Sequence, residues 1–375
     1  MEKTLNIPNI QAAMEKAGLS QSRLAEKLDV SKEIVSKWLS GKKFPRPRML
    51  LELALALELG IDKLVIKKPA ANEPVIAFRK RAGTKTTPAH VEKAKEMGML
   101  LEPLVPYLPF DQFLRPATLK DPRCDYDYIQ TLVKQIRDDI NISPNEVLDF
   151  QHLITRFKEL QTVIIPVLWG EKSNHSNALH IYLPLTQTTW IYLNLDVHAH
   201  DFKFWMAHEL GHVLAPDLRD DSGEDFADKF AAAILFPKTV AENAYKELIT
   251  IRGQKKQIDV IKKYALKHTI SLITVYRQIN VYAHHYDLKV VDLEKVVYAS
   301  NTNFNKRFYK ISESIFDNTM PTPKKYIRKC KEVFKTPFFY ALKQYIADAG
   351  KSVGYVQTIL DTPLLDAKGI HAELS

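Results

Sequence analysis

Cysteine is nearly absent from this chain. Cys124 and Cys330 are the only two among 375 residues, and neither belongs to a CxxC pair. Two isolated cysteines cannot build a disulfide framework or a cysteine-ligated zinc ribbon. We therefore expect both to be reduced thiols.

Long apolar runs are also missing. No uninterrupted stretch reaches the roughly 18 apolar residues that a membrane span requires, and the N-terminus lacks an apolar signal region. We expect a cytoplasmic protein with no membrane partner. The sequence also contains no internal repeat and no low-complexity tract.

The composition that is present allows two or three folded domains. Hydrophobic residues make up 46% of the 375 positions, which is enough for extensive cores. The formal net charge is +9, which suits a polyanionic partner such as nucleic acid but says nothing about fold.

The most specific motif is the pentapeptide HELGH at residues 208–212. Two histidines four residues apart lie on the same face of a helix, one turn apart, so His208 and His212 can reach one metal ion while Glu209 flanks it. The apolar residues around the motif follow a helical period. This pattern predicts the metal-binding helix of a zinc peptidase, with one Zn²⁺ per chain and Glu209 as the general base.

A catalytic zinc ion requires a third protein ligand and one open position. The next predicted helix begins near Ser222, ends before Pro237 and offers Glu224. Glu224 is favoured because it leaves Asp228, one turn later, to accept the ring N–H of a ligand histidine. Asp228 and Asp225 remain alternative ligands, since all three belong to one acidic stretch.

A second, independent motif lies near the N-terminus. Ser20 and Ser31 are positioned to cap two short helices joined at Asp29, and Gly41 is positioned to end the second one. This is a helix-turn-helix pattern, in which the second helix enters the major groove of double-stranded DNA. The residues directed at base edges are Lys32, Glu33, Ser36 and Lys37. The residues assigned to phosphates are Gln21, Lys42, Lys43, Arg46 and Arg48.

The domain organisation follows from these motifs. We predict a helix-turn-helix domain over 1–68, a linker over 69–90, a metallopeptidase domain over 91–299 and a helical C-terminal region of unknown role over 300–375. Strands are predicted over 163–169, 179–185 and 189–195, just before the metal helix. The fold class is therefore mainly α with a small β-sheet. It consists of an all-α domain, an α+β zincin-like domain and further helices.

These residues carry a family resemblance. The N-terminal segment resembles the Xre/lambda-repressor helix-turn-helix family, and residues 75–285 resemble the ImmA/IrrE family of metallo-endopeptidases. The resemblance rests on the strand before the HELGH helix, on that helix, and on a second helix that fits the family pattern. The positions that fit this last pattern are Glu224, Ala227, Asp228, Phe230 and Ala231.

The resemblance implies a bacterial or phage regulator that cleaves a repressor or a toxin-like protein. The alternative is a transcription regulator whose metal domain senses a ligand or holds a partner without turnover, and a metal-responsive repressor is a third reading. Glu209 favours the peptidase, because a sensor has no need of a general base. A homodimer is one assembly that the sequence allows.

Two further expectations concern substrate handling. Residues 190–195 are interpreted as an edge strand that receives the substrate by β-augmentation. His198, His200 and Tyr192 are the side chains considered for stabilising the oxyanion.

Overall fold

The computed structural model describes residues 2–68, 74–79, 88–110, 118–170, 178–218 and 220–375. The chain forms two compact units, Met1–Glu73 and Pro74–Ser375. Each unit has its own hydrophobic core. Among the described residues, no helix is both long and apolar enough to cross a membrane.

The first unit is built from five helices closed by a two-stranded sheet. Its elements are β1 (Glu2–Leu5), α1 (Ile7–Lys16), α2 (Gln21–Lys27), α3 (Lys32–Leu39), α4 (Pro47–Ala56), α5 (Ile61–Leu64) and β2 (Val65–Lys68). Strands β1 and β2 pair antiparallel, with Leu5 opposite Val65, and so join the two ends of the unit. The sequence had predicted α2 and α3 as the helix-turn-helix pair but not this small sheet.

The helix-turn-helix has the predicted local signals. The side chain of Ser20 accepts a hydrogen bond from the backbone N–H of Arg23, and Ser31 does the same for Ile34. These bonds satisfy backbone donors that the first turn of each helix leaves without partners. Between the helices, Asp29 adopts a left-handed backbone conformation with φ of 49°. Val35 and Trp38 are buried and hold α3 against the core of the unit.

The second unit contains a four-stranded sheet in the order β3-β5-β6-β4. The strands are β3 (Val75–Arg79), β4 (Val163–Val167), β5 (Ala178–Leu183) and β6 (Thr188–Asn194). Strands β3, β5 and β6 are antiparallel neighbours, whereas β4 runs parallel to β6. The three predicted strands are present. β3 lies inside the range that was predicted as a linker.

The remaining elements of the second unit are helical. They are α6 (Pro88–Leu101), a 3-10 segment (Glu102–Tyr107), α7 (Tyr126–Asp139), α8 (Phe150–Glu159), α9 (Ala199–Leu214), α10 (Asp220–Leu235), α11 (Lys238–Thr250), α12 (Gln254–His268), α13 (Leu272–His285), α14 (Glu294–Asn305), α15 (Ile311–Phe316), α16 (Pro323–Phe334), α17 (Phe338–Ala349), α18 (Val353–Leu360) and α19 (Leu364–Leu374). Helix α10 begins two residues before Ser222, so Ser222 lies within the helix and does not cap it. The mainly helical fold with a small sheet agrees with the prediction.

The last helices pack on the sheet and share its core. The hydroxyl groups of Tyr326 and Thr336 donate to the carbonyl oxygens of Pro166 and Ile164 on β4, and Tyr192 on β6 donates to Ile359 O at 2.8 Å. Residues 300–375 therefore form one compact unit with the sheet and the metal-motif helix, although the sequence had separated them at 299. The boundary between the two units lies between residues 73 and 74, inside the predicted linker over 69–90, of which residues 69–73 and 80–87 lie outside the described residues.

Helices α9 and α10 approach closely because Gly211 has no side chain. A Cβ atom built on Gly211 would lie 2.9 Å from Ala227 Cα and 3.2 Å from Ala227 Cβ. These distances are shorter than ordinary van der Waals contact, and the nearer atom is backbone that cannot rotate away. Glycine at 211 and alanine at 227 together set the spacing of the two helices.

Replacing Gly211 with alanine is expected to destabilise the second unit. Alanine in a helix is normally better than glycine by about 1 kcal/mol, but overpacking a core typically costs about 1 to 3 kcal/mol. We expect a net loss of free energy of unfolding for Gly211→Ala, measured by urea denaturation. The matched control is Gly354→Ala in α18, where the nearest atom is Ser352 Oγ at 3.5 Å. That variant should be neutral or slightly stabilised, and equal behaviour of the two variants would contradict the packing argument.

Candidate functional site

Helix α9 presents the HELGH motif from inside the second unit. His208 is fully buried, and Glu209 and His212 are 1% and 9% exposed. The two histidine rings lie one turn apart, with their centroids 4.7 Å from each other.

Helix α10 brings a carboxylate to the two imidazoles. His208 Nε2 and His212 Nε2 are 3.0 Å apart. The carboxylate of Glu224 places Oε2 3.5 Å from His208 Nε2 and Oε1 3.3 Å from His212 Nε2. In the part of the chain that the structure describes, these three side chains are the group whose ligand atoms converge closely enough to hold a metal ion.

The geometry of this group fits a tetrahedral zinc site. Ligand atoms that each lie about 2.1 Å from a zinc ion at tetrahedral angles are about 3.4 Å from one another. The three separations span 3.0 to 3.5 Å, with the two that involve Glu224 made by its two different carboxylate oxygens. Two histidines and a glutamate also leave a fourth position open, which is the arrangement of catalytic rather than structural zinc sites.

Asp228 orients one of the imidazoles. Its Oδ1 lies 2.9 Å from His208 Nδ1. A carboxylate at that distance accepts the N–H of the ring, which keeps the proton on Nδ1 and leaves the lone pair of Nε2 directed at the ligand group. The carboxylate of Asp225 instead forms an ion pair with Lys229, whose Nζ lies 2.7 Å from Asp225 Oδ2. Of the three acidic candidates, Glu224 is thus the one that the described structure groups with the two imidazoles.

The charge of the site favours an ionised Glu224. Burial alone would raise the pKa of this carboxyl group, but hydrogen bonds and charge interactions with His208 and His212 lower it well below its ordinary value. The pKa of the buried Glu209 is lowered in a similar way. Burial raises this pKa, and the largest effect that lowers it comes from His180. Both carboxyl groups are therefore anionic at neutral pH.

His180 is a site residue that the sequence analysis missed. It lies on β5, is 6% exposed, and its Nδ1 lies 3.5 Å from Glu209 Oε2. Its ring also meets that of His212, with the centroids 5.9 Å apart. Within the described residues, neither His180 Nδ1 nor Glu209 Oε2 has a hydrogen-bond partner. The signal available in the sequence was one histidine inside an otherwise apolar strand.

One expectation about substrate handling is wrong. Strand β6 is not an edge strand, because it lies between β5 and β4 and both of its sides are already paired. The three oxyanion candidates also make their contacts elsewhere. Tyr192 donates to Ile359 O, His198 Nδ1 lies 2.6 Å from Phe308 O, and His200 packs its ring on Phe308 with the centroids 5.0 Å apart.

The residues proposed for DNA contact lie on the surface of the first unit. All seven positions are exposed, and they come from α2, α3 and the start of α4. They are Gln21, Lys32, Glu33, Ser36, Lys37, Arg46 and Arg48. One is partly engaged, since Arg48 Nε forms an ion pair with Glu52 at 2.9 Å. The backbone carbonyl of Lys37 accepts from the N–H groups of Lys42 and Lys43, which fixes the basic turn after α3.

The two units define the class of the protein: a helix-turn-helix DNA-binding domain combined with a metallopeptidase-like domain. The families agree with this class. Residues 10–64 match the Helix-turn-helix family model, and residues 161–267 match the IrrE N-terminal-like domain model of the M78 peptidases. The second match spans β4 to α12 and thus includes His208, His212 and Glu224.

Other comparisons add little. No curated protein matches the chain. A crystal structure of ComR from Streptococcus suis is similar at 10% sequence identity, over 98% of this chain and 92% of that chain. Its TM-score is 0.14, which supports no conclusion about fold or function.

The ligand assignment predicts how metal content responds to substitution. Purified protein should hold about one zinc ion per chain, and His212→Ala and Glu224→Ala should lose most of it, because each removes one of three converging ligands. Elemental analysis after dialysis measures this. Asp225→Ala is the matched control, since it removes a carboxylate from the adjacent position and should keep the metal. Full occupancy in Glu224→Ala would instead point to Asp228 or Asp225 as the third ligand.

Proposed function

We propose that this protein is a DNA-binding regulator whose second unit is a zinc-dependent endopeptidase acting on a protein partner. The observation that carries the proposal is Glu209, a buried carboxylate on the same helix turn as the two histidines of the ligand group. The matches to a helix-turn-helix model and to a peptidase domain model support the same combination.

The proposed roles follow from the chemistry of peptide hydrolysis. A zinc ion bound by His208, His212 and Glu224 would act as a Lewis acid and lower the pKa of water towards about 7. Glu209 takes the proton of the attacking water on its carboxylate and later delivers it to the leaving amine. Asp228 keeps His208 in the tautomer whose Nε2 can bind the ion.

Burying the charged carboxylate of Glu209 costs free energy, so its presence at this position calls for a functional explanation. A carboxylate that is 1% exposed has lost its hydration, and such groups are normally paired or hydrogen-bonded. Oxygen Oε2 has no hydrogen-bond partner among the described residues. Buried, incompletely satisfied carboxylates beside a ligand group are typical of active sites, where the group waits for a substrate proton. A mere structural helix would favour an apolar residue at this position.

The substrate that we propose is a protein regulator, either a repressor or a toxin-like partner. A helix-turn-helix unit in the same chain would bring the peptidase to a gene whose control depends on that partner. The exposed side chains of α3 fit base recognition in the major groove, since Lys, Glu and Ser all have polar groups that pair with base edges. Arg46 and Gln21 suit phosphate contacts.

The decisive experiment on catalysis is Glu209→Gln. Glutamine keeps the shape of the side chain but cannot accept a proton, so cleavage should fall at least about a hundredfold while zinc and DNA binding persist. The partner is identified by co-purification with this variant and by fragment analysis, on gels and by mass spectrometry, with the parent protein. Asp225→Asn is the control and should cleave at the parental rate.

The opposite outcome would favour a sensor. In that case Glu209→Gln regulates its target gene as the parent does, and no fragment of any co-purified protein or of the chain itself is found. The metal domain would then act by holding a ligand or a partner without turnover.

The DNA surface makes a separate prediction. Ser36→Ala and Lys37→Ala should relax sequence preference by roughly 1 to 3 kcal/mol at the contacted base pair, because they remove groups that read base edges. Arg46→Ala should weaken binding to all sequences and reduce its salt dependence. Fluorescence anisotropy at several salt concentrations measures both effects.

Lys63→Ala is the matched control for the DNA experiment. It removes the same charge from α5, on an exposed position outside the helix-turn-helix. Equal losses for Lys63→Ala and Arg46→Ala would show that only net charge matters. The helix-turn-helix would then have a packing or partner-binding role.

A further inference from the structure

A cavity of about 570 Å³ lies in the second unit, on the side of the sheet where β4 and β6 end. Residues 168–170 follow β4 and Asp196 follows β6, and because these strands are parallel, both segments leave the sheet at the same end of the strands. In sheets with parallel strands, ligands usually bind at the carboxyl ends of those strands. The volume is within the range typical of small-molecule sites, roughly 300 to 1,000 Å³.

The cavity is separate from the ligand group on α9. Its remaining walls come from α15, from the segment that leads into α16, and from the turn between α18 and α19. None of the residues that line it is His180, His208, Glu209, His212 or Glu224. The C-terminal helices therefore help to build a concave site that contains none of the candidate metal ligands.

The apolar part of the lining is rigid. The indole N–H of Trp169 donates to Leu360 O at 3.0 Å, and its ring stacks on Tyr192 with the centroids 5.8 Å apart. Phe316 and Tyr326 are buried behind the cavity surface. At the rim, Met320 is 88% exposed. These side chains offer a fixed aromatic floor and a flexible thioether edge for an apolar ligand body.

The charged part of the lining is mainly acidic. Among the described residues that line the cavity, Asp196, Glu313 and Asp366 contribute carboxylates and Lys310 is the one basic side chain. Asp361 also lines it but is already paired with Lys93 at 2.6 Å. The backbone N–H of Gly170 donates to Asp196 Oδ2 at 2.7 Å and thereby fixes that carboxylate at the mouth of the strands. Acidic groups thus outnumber basic ones even without Asp361.

We propose that this cavity binds a small organic cation, a protonated amine attached to an apolar body. The carboxylates would attract the ammonium group, and the aromatic floor would take the apolar part. An anionic ligand of the same size would face a surplus of like charge. This inference does not depend on the proposed peptidase activity.

The cavity adjoins the connection that leads to the metal-motif helix. Ser312 N donates to Leu195 O, and Ala199 N, the first residue of α9, donates to Tyr309 O. Lys310, which precedes α15, and Ser312, in the first turn of α15, both line the cavity. A bound cation would therefore touch residues that are hydrogen-bonded to the entry of α9, which gives it a physical route to the candidate metal centre.

The test uses two dyes that differ in one charged group. Dansylcadaverine carries a primary amine, and dansyl-6-aminohexanoate carries a carboxylate on a similar apolar body. The full chain should bind the amine saturably and the carboxylate at least about tenfold more weakly, as followed by anisotropy and dansyl emission. The double variant Glu313→Gln, Asp366→Asn should bind the amine dye about three- to thirtyfold more weakly. This loss of affinity corresponds to two exposed charge contacts of up to about 1 kcal/mol each.

Two further variants make the result specific to the cavity. Thr362→Trp places an indole in the cavity wall and should abolish binding of the amine dye, with folding checked by urea denaturation. Asp292→Asn is the control, because it removes a carboxylate from an exposed position that does not line the cavity. The proposal would be overturned by equal affinity for both dyes or by a lack of saturable binding. It would also be overturned if the affinity for the amine dye were unchanged both in Thr362→Trp and in the double variant.

Discussion

The close approach of α9 and α10 is the constraint on which the candidate metal centre depends. Gly211 and Ala227 are the contact point, and an added Cβ at 211 would meet backbone at 2.9 Å. The residues of the HELGH motif lie on either side of Gly211. His208 and Glu209 precede it, and His212 follows it. Ala227 likewise lies between Glu224 and Asp228. The small residues therefore serve the geometry of the ligand group, because a wider helix spacing would move Glu224 away from both imidazoles.

Desolvation is the second feature that shapes the site. Lys203, on the same helix, is 3% exposed, and burial lowers its pKa to about 8. Its ammonium group donates to Leu148 O and His268 O. Arg137 similarly donates to Ile234 O at the end of α10 and to Ser143 O. Both cations tie the metal-bearing helices to neighbouring turns through carbonyl groups instead of carboxylates, and leave the acidic residues to the ligand group.

The second unit thus offers two chemically different concave regions on one sheet. The face of β5 carries His180 towards Glu209, and the ends of β4 and β6 open into the acidic, aromatic-lined cavity. Residues 195–199 connect them, because this segment leaves β6, pairs with residues 309–312 and enters α9.

The sequence by itself determined the local features whose cause is local. The serine caps of α2 and α3, the one-turn spacing of His208 and His212, and the helical period around them all arise from neighbours within a few residues, and the family models match the same segments. Only the tertiary structure decided what depends on contacts distant in the chain. It moved 190–195 from an edge to the middle of the sheet, added β1, β2 and β3, and joined 300–375 to the core. It also brought His180 to Glu209 and distinguished Glu224 from Asp225, because strand order and side-chain convergence are set by packing between elements, which no local pattern records.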